Sequence, residues 1–425
     1  MSIAAFSLLA LLGVIVVSCF TRANIGFLSM ALAYLIGRAA GLPASTIAGG
    51  FPASLFVTLT GVTLLFGQAR VNGTLEKLAS RSVRLVGGNR GKIPIVFFFL
   101  ALGLSTIGVG NIGATALLAP VAMSVAGRAG ISGFLMALML ANGANAGSFS
   151  PFAPAGIIAR DLMGRAGLEG VEWANYFNTL VAQSVVAFGG YFLLGGVTLL
   201  RADAKQAPGP PPEASGPDGV SPEHTPFTPS QWLTVGVIAA LILSAVLLRV
   251  DVGLGAFVAA TILTIARAAD EEAAVRSIPL GVILMVTGLT VLVEVLAKTG
   301  GMELFSRILA QLSGPTYVSG VIALVTGVIS VYSSSTGVVL PAFLPIIPGL
   351  VAKLGGGDPL MIAYSINVGS HLVDVSPLST LGALCLAVAP PSEDRQRLFR
   401  NLMAWGWSMV IVGAIVCQAF FGFRP

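Results

Sequence analysis

The stretch NVGSHLVDVSPLSTLG, Asn367 to Gly382, decides how this chain is read, because it repeats ANGANAGSFSPFAPAG, Ala141 to Gly156. With Pro151 set against Pro377, Gly143 meets Gly369, Ser150 meets Ser376 and Gly156 meets Gly382. Polar residues pair as well, Asn145 with His371 and Ser148 with Asp374. A proline removes a backbone donor and frees the carbonyl one turn earlier. Each stretch therefore reads as a helix broken near its middle, over about 131–165 and 359–389.

The breaks lie in an apolar chain. Its 425 residues are 55% hydrophobic and 10% charged, with a mean hydropathy of +0.91. A soluble surface takes about 25% charge, so this is an integral membrane protein. Many apolar runs approach the roughly 20 residues that cross a hydrocarbon core. The net charge of +5 and pI near 9.3 do not indicate nucleic acid, since the basic residues sit in short loops. The cysteines Cys19, Cys385 and Cys417 lie scattered in apolar runs without metal or redox spacing and read as core filler. The first apolar run lacks a basic leader and a small-residue cleavage site, and reads as a retained helix.

Spans are expected at about 2–19, 24–39, 45–67 and 174–200, and again at 231–248, 252–267, 279–297 and 401–421. Before each broken helix lies an arm–tip–arm segment, about 93–127 and 316–353, whose arms are too short for full crossings. The tips are GVGNIGATALLAP (Gly108–Pro120) and SVYSSSTGVVLP (Ser330–Pro341); with Pro120 against Pro341, Thr115 meets Thr336. Both read as re-entrant hairpins. A Pro- and Gly-rich linker at 201–230 separates residues 1–200 from 231–425. Each part holds five crossings, an odd number, so like-folded halves are oppositely oriented. The fold class is thus an all-α polytopic membrane protein, an inverted repeat of the kind secondary transporters use. With the amino terminus outside and the linker cytoplasmic, most Lys and Arg fall inside, led by Arg70, Lys77, Arg81, Arg84, Arg90 and Lys92. This cluster, on the amphipathic segment between the third span and the first hairpin, reads as a topology anchor rather than a lipid-headgroup site.

Irregular backbone at membrane depth persists where protein or a water-filled cavity satisfies it. Two tips and two breaks meeting near the midplane therefore form a binding site. Small and hydroxyl residues also permit plain close packing, but their repetition beside a Ser-Pro break favours a site. No Lys or Arg falls in these four segments. An anion there is met by hydroxyls, amides, helix amino-termini and a bound cation.

These residues, most specifically GNIGATALLAP and the two broken helices, resemble the MatC-type dicarboxylate carriers, in the ion transporter superfamily that includes the divalent anion–sodium symporters. In the symporter branch each tip carries Ser-Asn-Thr. Here Asn111 matches that Asn between Gly110 and Ile112, and the second tip, YSSSTG, supplies hydroxyls without an Asn. The resemblance implies an elevator-like movement and a homodimer; the expected location is a bacterial inner (plasma) membrane.

Substrate carboxylates are assigned to Asn111, Thr115, Ser334, Ser335 and Thr336, with Asn145 and Ser370 at the breaks. Cation coupling, to Na⁺ or H⁺, is assigned to Asn111, Ser148, Ser150, His371, Asp374 and Ser376, with sodium positions near Asn111/Ser150 and Ser335/Asp374. Asp374 leads, because a carboxylate inside a span is costly and functional by default. His371, three residues earlier, shares its face if the turn is helical; a structural His–Asp pair closing the break is the alternative. Glu294 and Lys298 read as an interfacial ion pair. No other cofactor is expected. The leading function is secondary transport of C3–C4 dicarboxylates, with a cation/proton antiporter as the alternative. No zincin helix, P-loop or nucleophile elbow points to an enzyme, and paired broken helices favour alternating access over a channel.

Overall fold

The structure is a computed structural model that describes residues 2–21, 23–83, 90–201, 226–248, 250–390 and 393–422. The chain begins with α1 (Ile3–Phe20), α2 (Ile25–Ala39), the short α3 (Ala44–Ala48) and α4 (Ala53–Val71). The amphipathic α5 (Thr74–Val83) leads to α6 (Lys92–Leu104), a π-helical turn at Ser105–Val109 and α7 (Gly110–Ala129). The first broken helix is α8 (Gly133–Ala146) and α9 (Pro154–Arg165), followed by α10 (Glu172–Leu193) and α11 (Gly196–Arg201).

The same order then returns. There follow α12 (Pro229–Leu248), α13 (Val252–Ile265), α14 (Glu271–Arg276), α15 (Leu280–Lys298) and α16 (Gly301–Tyr332). A second π-helical turn, Ser335–Val339, precedes α17 (Leu340–Phe343), a 3₁₀ turn (Leu344–Ile346) and α18 (Ile347–Leu354). The second broken helix is α19 (Pro359–Leu372) and α20 (Thr380–Ala387), and α21 (Arg395–Phe421) closes the fold. No strand occurs among the described residues.

Seven helical segments among the described residues are long and apolar enough to cross a membrane, and α2, α8, α12 and α13 are shorter apolar helices. The span expected at 45–67 is divided: Gly49, Gly50, Phe51 and Pro52 separate α3 from α4, and Pro52, which has no N–H, caps α4. The third span of the second half shows the Glu294–Lys298 ion pair at 3.2 Å. Cys385 and Cys417 are buried, free thiols. Of the expected linker, residues 202–225 lie outside the described residues, as do Arg22 and Arg84. Its far end is held where Lys77 Nζ donates to the Pro226 carbonyl at 2.8 Å.

Two helix pairs pack closely, α2 on α15 and α13 on α4. Both crossings use glycines. A side chain at Gly26 would strike the Leu284 carbonyl, and one at Gly288 would strike the Gly26 backbone. At the other crossing, a Cβ on Gly61 would lie 2.6 Å from the Gly253 carbonyl, and one on Gly253 2.5 Å from Thr58 Cα. Lipid tails are as apolar as the helix surfaces, so membrane helices associate through such close backbone approach.

The hairpins lie on the broken helices. α6 and α7 pack on each other and both on α8; α16 packs on α18 and α19. Each helix beyond a break then reaches the other half: α20 packs on α7, and α9 on α17 and the adjoining 3₁₀ turn.

Gly288→Leu is expected to wedge α2 from α15 and destabilise the protein by about 1–3 kcal/mol, the usual cost of overpacking. Thermal unfolding in detergent reads this as a lowered midpoint. Gly236→Ala, where a Cβ meets nothing within 4 Å, should leave the midpoint unchanged.

Candidate functional site

The two breaks carry the same hydrogen bonds. Gly156 N–H donates to the Ser148 carbonyl at 3.1 Å, and Gly382 N–H to the Asp374 carbonyl at 3.3 Å. Ala153 N–H reaches the Ser150 carbonyl at 2.9 Å, as Ser379 N–H reaches Ser376 at 3.0 Å. The chain folds back so tightly that a Cβ at Gly156 would meet the Ser150 carbonyl, and one at Gly382 the Ser376 carbonyl. The serines before the prolines tie each break to its hairpin. Ser150 Oγ donates to the Thr106 carbonyl at 2.7 Å, and Ser376 Oγ to the Val331 carbonyl at 3.0 Å.

Both hairpin tips leave the regular α-helix: the second is a π-helical turn, a distortion often found at functional sites, and the first is kinked at Gly108, whose backbone is not helical. The first turns through Gly108 (φ 124°) and Gly110 (φ 77°), values that L side chains rarely adopt. At the second, Ser333 and Ser334 are extended, and Ser334 Oγ accepts from Gly337 N–H at 2.9 Å.

Asn145 joins the halves. Its Oδ1 accepts from Asn111 Nδ2 at 2.7 Å, and its Nδ2 donates to the His371 carbonyl at 2.9 Å and to Asp374 Oδ2 at 3.3 Å. The other carboxylate oxygen of Asp374 accepts from Ser335 Oγ at 2.5 Å and from Ser379 Oγ at 3.1 Å. Ser335 Oγ also lies 3.0 Å from the Ser370 carbonyl, so its single proton has two acceptors. Tip 1, break 1, break 2 and tip 2 thus meet in one network around a buried carboxylate. Asp374 is the one buried acid among the described residues.

His371 stands beside this network. Its Nδ1 lies 3.0 Å from the Asn367 carbonyl, which can only accept, so Nδ1 carries a proton. Ser370 Oγ lies 3.0 Å from the same nitrogen, and Nε2 is 3.1 Å from Thr336 Oγ1. Phe149 packs edge-on against the ring. Among the described residues no side-chain hydrogen bond joins His371 to Asp374, which meet only where Asp374 N–H donates to the His371 carbonyl at 3.4 Å; α19 ends at Leu372, so the helical register that would stack their side chains is lost.

Two expected site residues donate no side-chain hydrogen bond to Asp374 or to another side chain of the network. Thr115 is buried in α7 with its hydroxyl unpartnered, and Ser148 Oγ turns back onto the Asn145 carbonyl at 2.7 Å. For sodium, the Ser335/Asp374 position offers a carboxylate and hydroxyls, hard oxygen donors that suit such a cation. At Asn111/Ser150, Asn111 Oδ1 accepts from Ile112 N–H at 2.9 Å and Ser150 is engaged with Thr106.

A cavity of about 210 Å³ lies against the second tip. Ser18, Thr21, Tyr332, Ser333, Ser334, Ser379 and Thr380 supply its hydroxyls, and among the described residues no charged side chain lines it. Ser333 Oγ bonds Ser18 Oγ of α1 at 2.8 Å, and Ser379 connects the cavity to Asp374. Sequence reasoning missed Ser379, whose counterpart in the first break is Ala153.

Residues 1–148 match the family model described as "Dicarboxylate carrier protein MatC N-terminus", which bears out the resemblance over that stretch. No curated protein sequence matches the chain. Among solved structures, the Alcanivorax borkumensis YdaH transporter, described as having an unusual topology, is similar at a TM-score of 0.60 and 17% identity. That match covers 89% of this chain and 88% of YdaH. MtrF of Neisseria gonorrhoeae, described as illuminating a class of antimetabolite efflux pumps, matches at a TM-score of 0.60 and 14% identity, covering 92% of this chain and 85% of MtrF. These matches are to transporters rather than enzymes, and together they support an integral membrane transporter.

Asn145→Leu is expected to leave Asp374 Oδ2 and the Asn111 amide without their Asn145 partner, while the His371 carbonyl keeps backbone donors. Buried polar groups left unsatisfied cost about 1–3 kcal/mol each. A lowered thermal midpoint in detergent, larger than that of Ser148→Ala, checks this.

Proposed function

We propose that this chain is a secondary carrier of small dicarboxylate anions of three or four carbons, coupled to H⁺ or Na⁺ at Asp374. The observation that carries this reading is the convergence of both tips and both breaks on one buried carboxylate, beside a cavity lined by hydroxyls. At about 210 Å³ the cavity is smaller than the roughly 300–1,000 Å³ pockets that take drug-sized ligands, which suits a short diacid.

Electrostatics supply the coupling. A dianion in this cavity stands near Asp374, which Ser379 links to the cavity wall. Like charges repel strongly where water is excluded. With no Lys or Arg among the described lining residues to offset the repulsion, the dianion binds well once a cation has neutralised Asp374. Substrate and cation thus favour each other's binding, the linkage a symporter needs. Substrate carboxylates are met by Ser334 and by the first turn of α20, whose amino-terminal end carries a partial positive charge. Thr336, Ser370 and Asn111 hold the surrounding network in place.

Movement of the hairpins and broken helices against the α2–α15 and α4–α13 pairs would expose the site to each side in turn. In this reading the chain works as a homodimer in a bacterial inner membrane, with the linker on the cytoplasmic side.

The test is uptake of labelled malonate and succinate into proteoliposomes under a sodium gradient, a proton gradient and neither. One gradient is expected to drive accumulation. Asp374→Asn, neutral without a cation, is expected to lose that drive about tenfold or more while retaining exchange of labelled for unlabelled substrate. If neither acid moves under any condition while the vesicles exchange cations for protons, the antiporter reading replaces this one.

A further inference from the structure

A second polar system lies between α10 and α19, and the small cavity at its edge shares no lining residue with the cavity at the second tip. α10 packs on α8 and α19, and it carries Asn175, Thr179 and Gln183 at intervals of four, on one face of the helix. All three are buried. On α19, Tyr364 and Asn367 stand three residues apart, also buried. Asn367 Nδ2 donates to Asn175 Oδ1 at 2.9 Å, joining the two helices. Asn175 in turn borders a small cavity of about 10 Å³, whose lining includes Arg160, Met163 and Glu172.

These side chains are not satisfied by one another. The Asn367 Oδ1, the Thr179 hydroxyl, the Tyr364 hydroxyl and both polar atoms of the Gln183 amide have no partner. Buried polar atoms left bare are costly, and a polar space of about 10–15 Å³ is what one internal water requires. Five such atoms on two packed helices, joined through the Asn367–Asn175 bond to a residue that lines a cavity of that size, mark a place built for water. The series continues inward. His371 Nδ1 donates to the Asn367 carbonyl, Ser370 Oγ contacts the same nitrogen, and Ser335 links the Ser370 carbonyl to Asp374.

We infer that the α10–α19 interface holds a file of internal waters that gives the Asp374 network a second aqueous access, from the cavity beside Arg160 and Glu172, separate from the cavity that admits substrate. The hydration stands on the side chains alone. Its use, admitting the coupling cation on its own route, rests on the carrier reading. Substrate and cation then approach Asp374 from separate cavities.

Two measurements on the full-length protein in lipid test this. In hydroxyl-radical footprinting, Tyr364, and Met163, whose Sδ lies 3.5 Å from Asn367 Nδ2, should label at rates comparable with Tyr332, which borders the substrate cavity. Asn367→Leu should suppress labelling of Tyr364 and leave Tyr332 unchanged. Unlabelled Tyr364 in the unaltered protein overturns the inference whether or not the variant folds. In proteoliposomes, Asn367→Leu and Asn175→Leu should each cut gradient-driven accumulation of labelled succinate about tenfold, while succinate exchange stays within about twofold of the unaltered protein. A loss confined to the pH gradient identifies a proton route, and one confined to the sodium gradient a sodium route. Accumulation and exchange falling together would show a merely structural role and overturn the route. Labelled Tyr364 in a protein that moves neither acid would uphold the water file and remove the carrier reading instead.

Discussion

In hydrocarbon, a helix that stops halfway leaves backbone donors and acceptors with no water to satisfy them, and the fold depends on how this is met. Here the solution is used twice. The turn after each break closes on itself through the same backbone bonds, at Ser148–Gly156 and Asp374–Gly382, and a serine before the proline fastens it to the hairpin alongside. With the backbone satisfied locally, the side chains at the breaks are free to turn toward each other. Asn145 and Asp374 do so, and the site follows from that surplus.

The rest of the molecule divides by the kind of packing it uses. The α2–α15 and α4–α13 crossings are backbone against backbone at glycines, which leaves little room for sliding. The tips make polar contacts over water-accessible space, and the contact from Ser333 to Ser18 of α1 is one hydroxyl pair. Close backbone crossings beside a tip held to α1 by one hydroxyl pair fit the relative movement proposed above, because hydroxyl contacts exchange for water at little net cost.

Much of this was legible in the chain. Hydropathy marked the membrane helices, and the paired Ser-Pro motifs marked both breaks, because proline's missing donor and glycine's missing side chain act locally. Gly143, Gly156, Gly369 and Gly382 could be matched for the same reason. What depends on distant partners was not legible. Thr115 and Thr336 align by their prolines, yet Thr336 finds His371 while Thr115 finds no partner, since the first break offers Asn145 where the second offers His371. The stacking of His371 on Asp374 assumed helix past Leu372, where the turn has already opened. Ser379 and the Asn175–Asn367 pair escaped notice because each gains its meaning from a helix far away in sequence. The four-residue spacing of Asn175, Thr179 and Gln183 inside an apolar span was nonetheless a visible signal.

Ser335 has one hydroxyl proton and stands between two oxygens, the Ser370 carbonyl and Asp374. While Asp374 is bare, the proton is claimed by the carboxylate and the carbonyl goes without. Once Asp374 holds a proton of its own, it can donate to Ser335, and Ser335 is released to the carbonyl; a metal cation on the carboxylate frees it likewise. The direction of a single O–H bond therefore records whether the carboxylate is occupied. Because Ser335 opens the π-turn of the second tip, that record would be written at the tip of the hairpin itself, on the segment that the proposed coupling has to move.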